Sequence, residues 1–67
     1  MYQITKQKTR IMKMQLTQDL KSAQGQLDYT NNALSANLEN WERKEYEQVK
    51  KMLIEEIESL EYRINLL

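Results

Sequence analysis

The sequence predicts an all-α protein: an antiparallel two-helix hairpin of the coiled-coil kind that associates with itself or with a partner. Three observations lead to this fold class. The 67 residues include no Pro and a single Gly. Good helix formers dominate, and no segment shows the alternation of a strand. Apolar residues recur at helical spacing in two separate stripes.

The first stripe predicts helix 1, from about residue 4 to residue 30. At 100° per residue, its members fall within an arc of about 80°. Gly25 lies on the opposite, polar side and costs about 1 kcal/mol relative to Ala. It is either simply tolerated there or marks a close approach by another backbone. The stripe consists of Met12, Leu16, Leu20, Ala23, Leu27, Leu34, Leu38 and Trp41.

The second stripe predicts helix 2, from about residue 38 to residue 66. It is rotated by about 100°, one residue, from the first, so the two stripes cannot belong to one uninterrupted face. Its members follow spacings of 3 and 4, and they are Tyr46, Val49, Leu53, Ile57, Leu60, Ile64 and Leu67.

The break between the helices has two candidate positions. Residues 28–37 are rich in Asp, Thr, Asn and Ser, which favour caps and turns. Residues 42–45 coincide with the change of phase but contain no turn-forming residue. The composition therefore favours a turn at about 31–37. Asn37 or Asn40 is expected to cap helix 2, with two acidic residues near its positive end, Glu39 and Glu42.

The charges support a fold near residue 34. Residues 1–13 contain only basic charges, and residues 55–61 contain only acidic ones. The basic charges thus lie at the positive end of helix 1 and the acidic charges at the negative end of helix 2, and both placements are unfavourable. A turn at 34 would place Lys8 opposite Leu60, and the other two facing pairs would be Arg10 with Glu58 and Lys13 with Glu55. Two long, continuous helices in an antiparallel dimer would satisfy the same pattern. That arrangement stays open as an alternative.

Two helices share one seam and leave their flanks in water, so we expect a binding partner. Trp41 and Tyr46 either fill the wide end of the seam or anchor a partner helix. Leu66 is a further apolar residue away from the seam. The expected partner is a helix-rich protein or another copy of the chain. The candidate partner-binding residues are Ile4, Ile11, Met14, Tyr29, Trp41, Tyr46, Ile54 and Tyr62.

Composition argues against other classes of function. There is no Cys and no His, and the net charge is zero. We therefore expect no catalytic residue, no metal site, no cofactor, no small-molecule substrate and no nucleic-acid partner. The longest aliphatic run is residues 52–54, too short to span a membrane. The basic N-terminal segment lacks the apolar region of a signal peptide, which favours a cytoplasmic protein. Secretion without a cleaved signal peptide is the alternative.

The spacing of Leu and Tyr resembles that of the small co-chaperones of type III secretion needle proteins, the short "E" component. The similarity covers about residues 14–64, although Asn31 and Asn32 occupy the turn where that family has glycines. The resemblance implies a helical hairpin that docks on a larger helical-repeat chaperone and keeps the needle subunit monomeric in the cytoplasm. The matching positions are Leu16, Leu20, Ala23 and Leu27, followed by Tyr46, Val49, Leu60 and Ile64.

A second resemblance is to the WXG-type family of small secreted helical hairpins. Trp41 and Glu42 match its motif, and Tyr46 and Val49 follow downstream, but Arg43 replaces the Gly. This resemblance implies a secreted dimer. A third possibility, an oligomerisation coiled coil of a phage or structural assembly, requires only the two stripes.

Overall fold

The computed structural model describes the backbone of residues 2–67 and the side chains of residues 8–67. Helix α1 spans Tyr2–Leu34 and helix α2 spans Asn40–Asn65, and no strand occurs within residues 2–67. The helices run antiparallel and pack along their length in a rod of 57 × 14 × 13 Å. The predicted fold class is confirmed. A single helix continuing through the middle of the chain is excluded, because residues 35–39 are not helical.

One apolar seam holds the two helices together. Its buried apolar residues are Ala23 of α1 and Leu53 and Leu60 of α2. Ala23 is small, which lets the helices approach closely at this level. No side chain among the described residues is completely enclosed. Half-buried side chains continue the seam towards both ends of the rod: Leu16, Leu20, Leu27, Leu34, Tyr46, Ile57 and Ile64.

Four expected members of the stripes lie outside the seam. Met12 is 52% exposed, Trp41 61%, Val49 44% and Leu67 44%. Met12, Val49 and Leu67 lie at the border of their stripes, and two helices in contact cover only a narrow strip of each surface. Trp41 belongs to α2, so it cannot continue the stripe of α1. A wider stripe would need a third helix to cover it.

Helix α1 ends four residues later than the expected end near residue 30. The cause is Thr30, which is 3% exposed and lies against α2. Its hydroxyl donates to the Gln26 carbonyl, 2.8 Å away, so its polar atom is satisfied within the helix. Burial of Thr30 thus outweighs the weak helix propensity of Asn31 and Asn32. The connecting loop is residues 35–39 rather than 31–37.

The helix ends next to the loop are capped by residues other than those predicted from the sequence. Glu39, with φ −72° and ψ 159°, is the N-cap of α2, and its amide donates to Oε1 of Glu42 at 3.4 Å. The expected caps are therefore wrong: Asn37 lies in the loop and Asn40 is the first helical residue. At the other helix end, Nη1 of Arg43 donates to the carbonyl oxygen of Leu34 at 3.3 Å.

The register also differs from the expected one. The loop is centred on Asn37 instead of Leu34. Met12 and Arg63 line the same groove, so the basic segment of α1 lies level with the last turns of α2. The expected pairing of Lys13 with Glu55 and of Arg10 with Glu58 is therefore wrong. Helix α1 has 33 residues against 26 in α2, and its N-terminal end extends beyond its partner.

Candidate interaction surface

Most of the predicted partner-binding side chains are exposed. The exposed fraction is 55% for Ile11, 62% for Met14 and 69% for Tyr29 on α1. On α2 it is 38% for Ile54 and 66% for Tyr62. Each of these side chains is available to a partner.

Three further predicted residues differ from this group. Trp41 is exposed beside the loop, and its indole Nε1 donates to Oε2 of Glu39 at 3.2 Å. Tyr46 is half-buried against α1. Of the two predicted seam fillers, only Tyr46 takes that place. Ile4 lies outside the residues whose side chains the structure describes.

The predicted residues do not form one surface. Ile11 and Met14 lie on α1 away from the seam, and Tyr29 lies at the edge of a groove that Tyr46 and Val49 of α2 also line. Ile54 and Tyr62 are eight residues apart on α2 and lie at different angles around its axis. A single flat partner therefore cannot contact all of them. The three α1 residues make up the coherent part of the prediction.

We call this coherent part the outer face of α1. It runs along α1 outside the seam, every one of its residues is exposed, and one edge of it borders the groove between the helices. None of them is charged, whereas charged residues border the face on both sides, with Arg10 and Lys21 on one flank and Asp19 on the other. The outer face of α1 consists of Ile11, Met14, Gln15, Gln18, Ser22, Gly25, Tyr29 and Asn32.

Gly25 lies in the middle of the outer face. A Cβ atom placed on Gly25 would meet no atom of the described chain within 4 Å. Within one hairpin, therefore, no backbone approaches Gly25. The nearby side chains are small or polar, and Gln26 donates from Nε2 to the hydroxyl of Ser22 at 3.5 Å. The surface around Gly25 is consequently lower than at Ile11 and Tyr29, whose larger side chains project from the helix.

A second apolar area follows one side of the seam. Near the middle of the rod, this area is an open groove between the helices, and its edge includes Gly25 and Tyr29. The groove is lined by Ser22, Gly25, Gln26, Tyr29, Thr30, Tyr46, Val49 and Leu53. Nearer the chain termini, a second depression continues this groove between the helices. Met12 and Val49, which lie outside the seam, therefore contribute to this groove. Its lining near the termini consists of Met12, Gln15, Leu16, Asp19, Arg63, Leu66 and Leu67.

The acidic cluster of α2 has the character of a solvated helix surface. Glu55 and Glu58 share a shallow depression with Lys50, Lys51 and Ile54, so acidic and basic groups are mixed there. Among the described residues, no group of three or more Asp, Glu, His or Cys side chains is arranged to hold a metal ion. Within that same part of the chain, each buried side-chain nitrogen or oxygen has a hydrogen-bond partner.

Comparison with known proteins finds no matching family model, no similar curated protein and no similar solved structure. In the described part of the chain, neither helix combines the length and the hydropathy that a membrane crossing requires.

Proposed function

We propose that this protein is a non-enzymatic binding module, a small chaperone or adaptor that packs the outer face of α1 against a helix of a partner protein. One observation carries the proposal. An exposed face of eight uncharged residues runs along α1, and it includes Ile11, Met14 and Tyr29, each more than half exposed.

An uncharged face of this length is unusual for a helix that only meets water. A solvated face normally carries charged side chains, as the outer side of α2 does with Lys44, Lys51 and Glu55. The charge-free face of α1 lowers the desolvation cost of docking another helix. Its aromatic and aliphatic residues supply the contacts that anchor helix-in-groove complexes.

The thinness of the fold supports the same conclusion. With a single seam, the hairpin buries three apolar side chains, Ala23, Leu53 and Leu60, among its described residues. A core this small gives little stability to a free 67-residue chain. Binding of the native state by a partner would add stability in proportion to the logarithm of the partner concentration.

The cellular role that we favour is that of a cytoplasmic co-chaperone of a secretion apparatus, because the spacing of Leu and Tyr resembles that of the needle co-chaperones. Co-purification with a helical-repeat chaperone supports this role. Recovery from culture medium as a dimer would instead support the WXG-type alternative. Assembly without any other partner would support a structural coiled coil.

The test is affinity capture from cell extract followed by mass spectrometry, using the wild type and two variants of the outer face, Ile11→Glu and Tyr29→Glu. Both substitutions place a charge on the uncharged face, so each should remove the specific partners. Gln24→Glu is the control, because Gln24 is exposed on the charged flank of the same helix. Retention of every partner by both outer-face variants would contradict the proposal.

A further inference from the structure

The residues of the outer face of α1 recur at coiled-coil spacing, although no helix of the same hairpin packs on them. Along the seam, α1 places Leu16, Leu20, Ala23, Leu27 and Thr30 at alternating steps of four and three residues. The outer face follows the same steps, so α1 has two coiled-coil faces and α2 covers one of them. The second series is Ile11, Gln15, Gln18, Ser22, Gly25, Tyr29 and Asn32.

We infer that the outer face of α1 pairs with the same face of a second copy of this chain, antiparallel, about a two-fold axis at Gln18. This inference rests on the proposed function and names what occupies the outer face of α1 in the purified protein, where a helix of a partner protein would otherwise dock. Gln18 is the midpoint of Tyr2–Leu34. With a two-fold axis at this residue, the two α1 helices overlap along their full length, about 50 Å at 1.5 Å per residue.

The sizes of the residues agree with this register. An axis at Gln18 places Ile11 opposite Gly25 of the second copy, and Met14 opposite Ser22. These two large side chains thus each face a small residue, which is how facing positions fill space in a helix pair. The open space above Gly25, where an added Cβ meets no described atom within 4 Å, would receive the side chain of Ile11.

The charges beside the face agree as well. Arg10 and Asp28 are 18 residues apart, five turns of helix, and they lie on the same flank of α1. In an antiparallel pair, equal flanks of the two helices face each other, so Arg10 comes near Asp28 of the second copy on both sides of the axis. The two copies of Asp19 approach each other at the rim, where water screens their repulsion.

The test uses charge at the two-fold axis. By light scattering after size exclusion, the wild type should be a dimer. Gln18→Glu and Gln18→Lys should each weaken the dimer about tenfold or more, because each places two like charges across the axis. An equimolar mixture of these two variants should restore the dimer, and the control Gln24→Glu should behave as the wild type.

A monomeric wild type, a Gln18→Glu chain as dimeric as the wild type, or a mixture that stays monomeric would overturn the inference. These outcomes differ from failure of the proposed function. If Gln18→Glu loses captured proteins while the purified wild type is monomeric, the outer face binds a different partner. In that case the proposed function stands and the second copy is excluded.

The register has its own measurement, which is possible because the chain contains no Cys. Ile11→Cys alone should form no interchain disulfide on mild oxidation, whereas a mixture of Ile11→Cys and Gly25→Cys chains should cross-link efficiently. Self-linking of Ile11→Cys would show a parallel pair instead and would contradict the antiparallel axis. Circular dichroism of each variant confirms that it is folded.

Discussion

At the scale of single residues, the loop end of the rod depends on Arg43. Its guanidinium is half-buried and donates to the carbonyl oxygen of Leu34, one of the last acceptors of α1. Such carbonyls have no hydrogen-bond partner within their own helix. A cation at this place also interacts favourably with the negative end of the helix dipole. Arg43 therefore links the start of α2 to the end of α1.

We expect Arg43→Ala to lower the free energy of unfolding by about 1 kcal/mol, the usual net value of an intramolecular hydrogen bond. Urea unfolding followed by circular dichroism measures the change. Lys44→Ala is the matched control, since Lys44 is exposed on the adjacent position. Equal stability of the two variants would show that the contact to Leu34 contributes nothing.

Gly25 gives a prediction of the opposite sign. Because an added Cβ meets no described atom within 4 Å, Gly25→Ala should stabilise the hairpin by up to about 1 kcal/mol through helix propensity alone. The measurement is urea unfolding in dilute solution, where the chain is monomeric. A loss of stability under those conditions would mean that part of the same chain contacts Gly25.

At the scale of the helices, stability is concentrated along the seam. Leu60 of α2 is 6% exposed, whereas Met52 on the same helix is 63% exposed. The two side chains are both large and apolar, but only Leu60 is removed from water by α1. They therefore provide a direct comparison of seam and surface.

Leu60→Ala should cost about 2–4 kcal/mol, enough to unfold much of a marginal hairpin, because it leaves a gap in the only seam. Met52→Ala should change stability by less than about 0.5 kcal/mol. Thermal unfolding of both variants measures the difference. Comparable losses at the two positions would mean that Met52 is covered in solution by something other than α1.

At the scale of the whole molecule, the length of the particle tests the architecture. The hairpin has a backbone extent of 57 Å. In the inferred dimer the two α1 helices overlap completely, so the mass doubles while the length stays close to that of one hairpin. Two straight helices of the whole chain would reach about 100 Å.

Small-angle X-ray scattering of the purified protein should therefore give the mass of two chains and a maximum dimension not far above that of one hairpin. A dimer much longer than one hairpin would place the axis away from Gln18. Thermal stability should also rise with protein concentration, because association stabilises the native state by mass action.

Sequence reasoning could predict those parts of the fold that depend on local chemistry. Helix formers and 4-3 spacing predict both helices, and Leu53, Leu60 and Ala23 are buried as the stripes require. Among the candidate partner-binding residues, Ile11, Met14 and Tyr29 share one exposed face, as expected of residues away from the seam. These features depend on spacing along a helix, which the sequence specifies directly.

The tertiary structure alone decided the end of α1, the register and the breadth of the seam. Thr30 extends α1 because α2 buries it, a gain that propensity cannot anticipate. Extending the helix moves the centre of the loop from Leu34 to Asn37. This changes which residues of α1 and α2 face each other, so Lys13 no longer lies opposite Glu55. The physical reason is that local sequence sets which side chains share a face, whereas packing against the second helix sets which of them are covered.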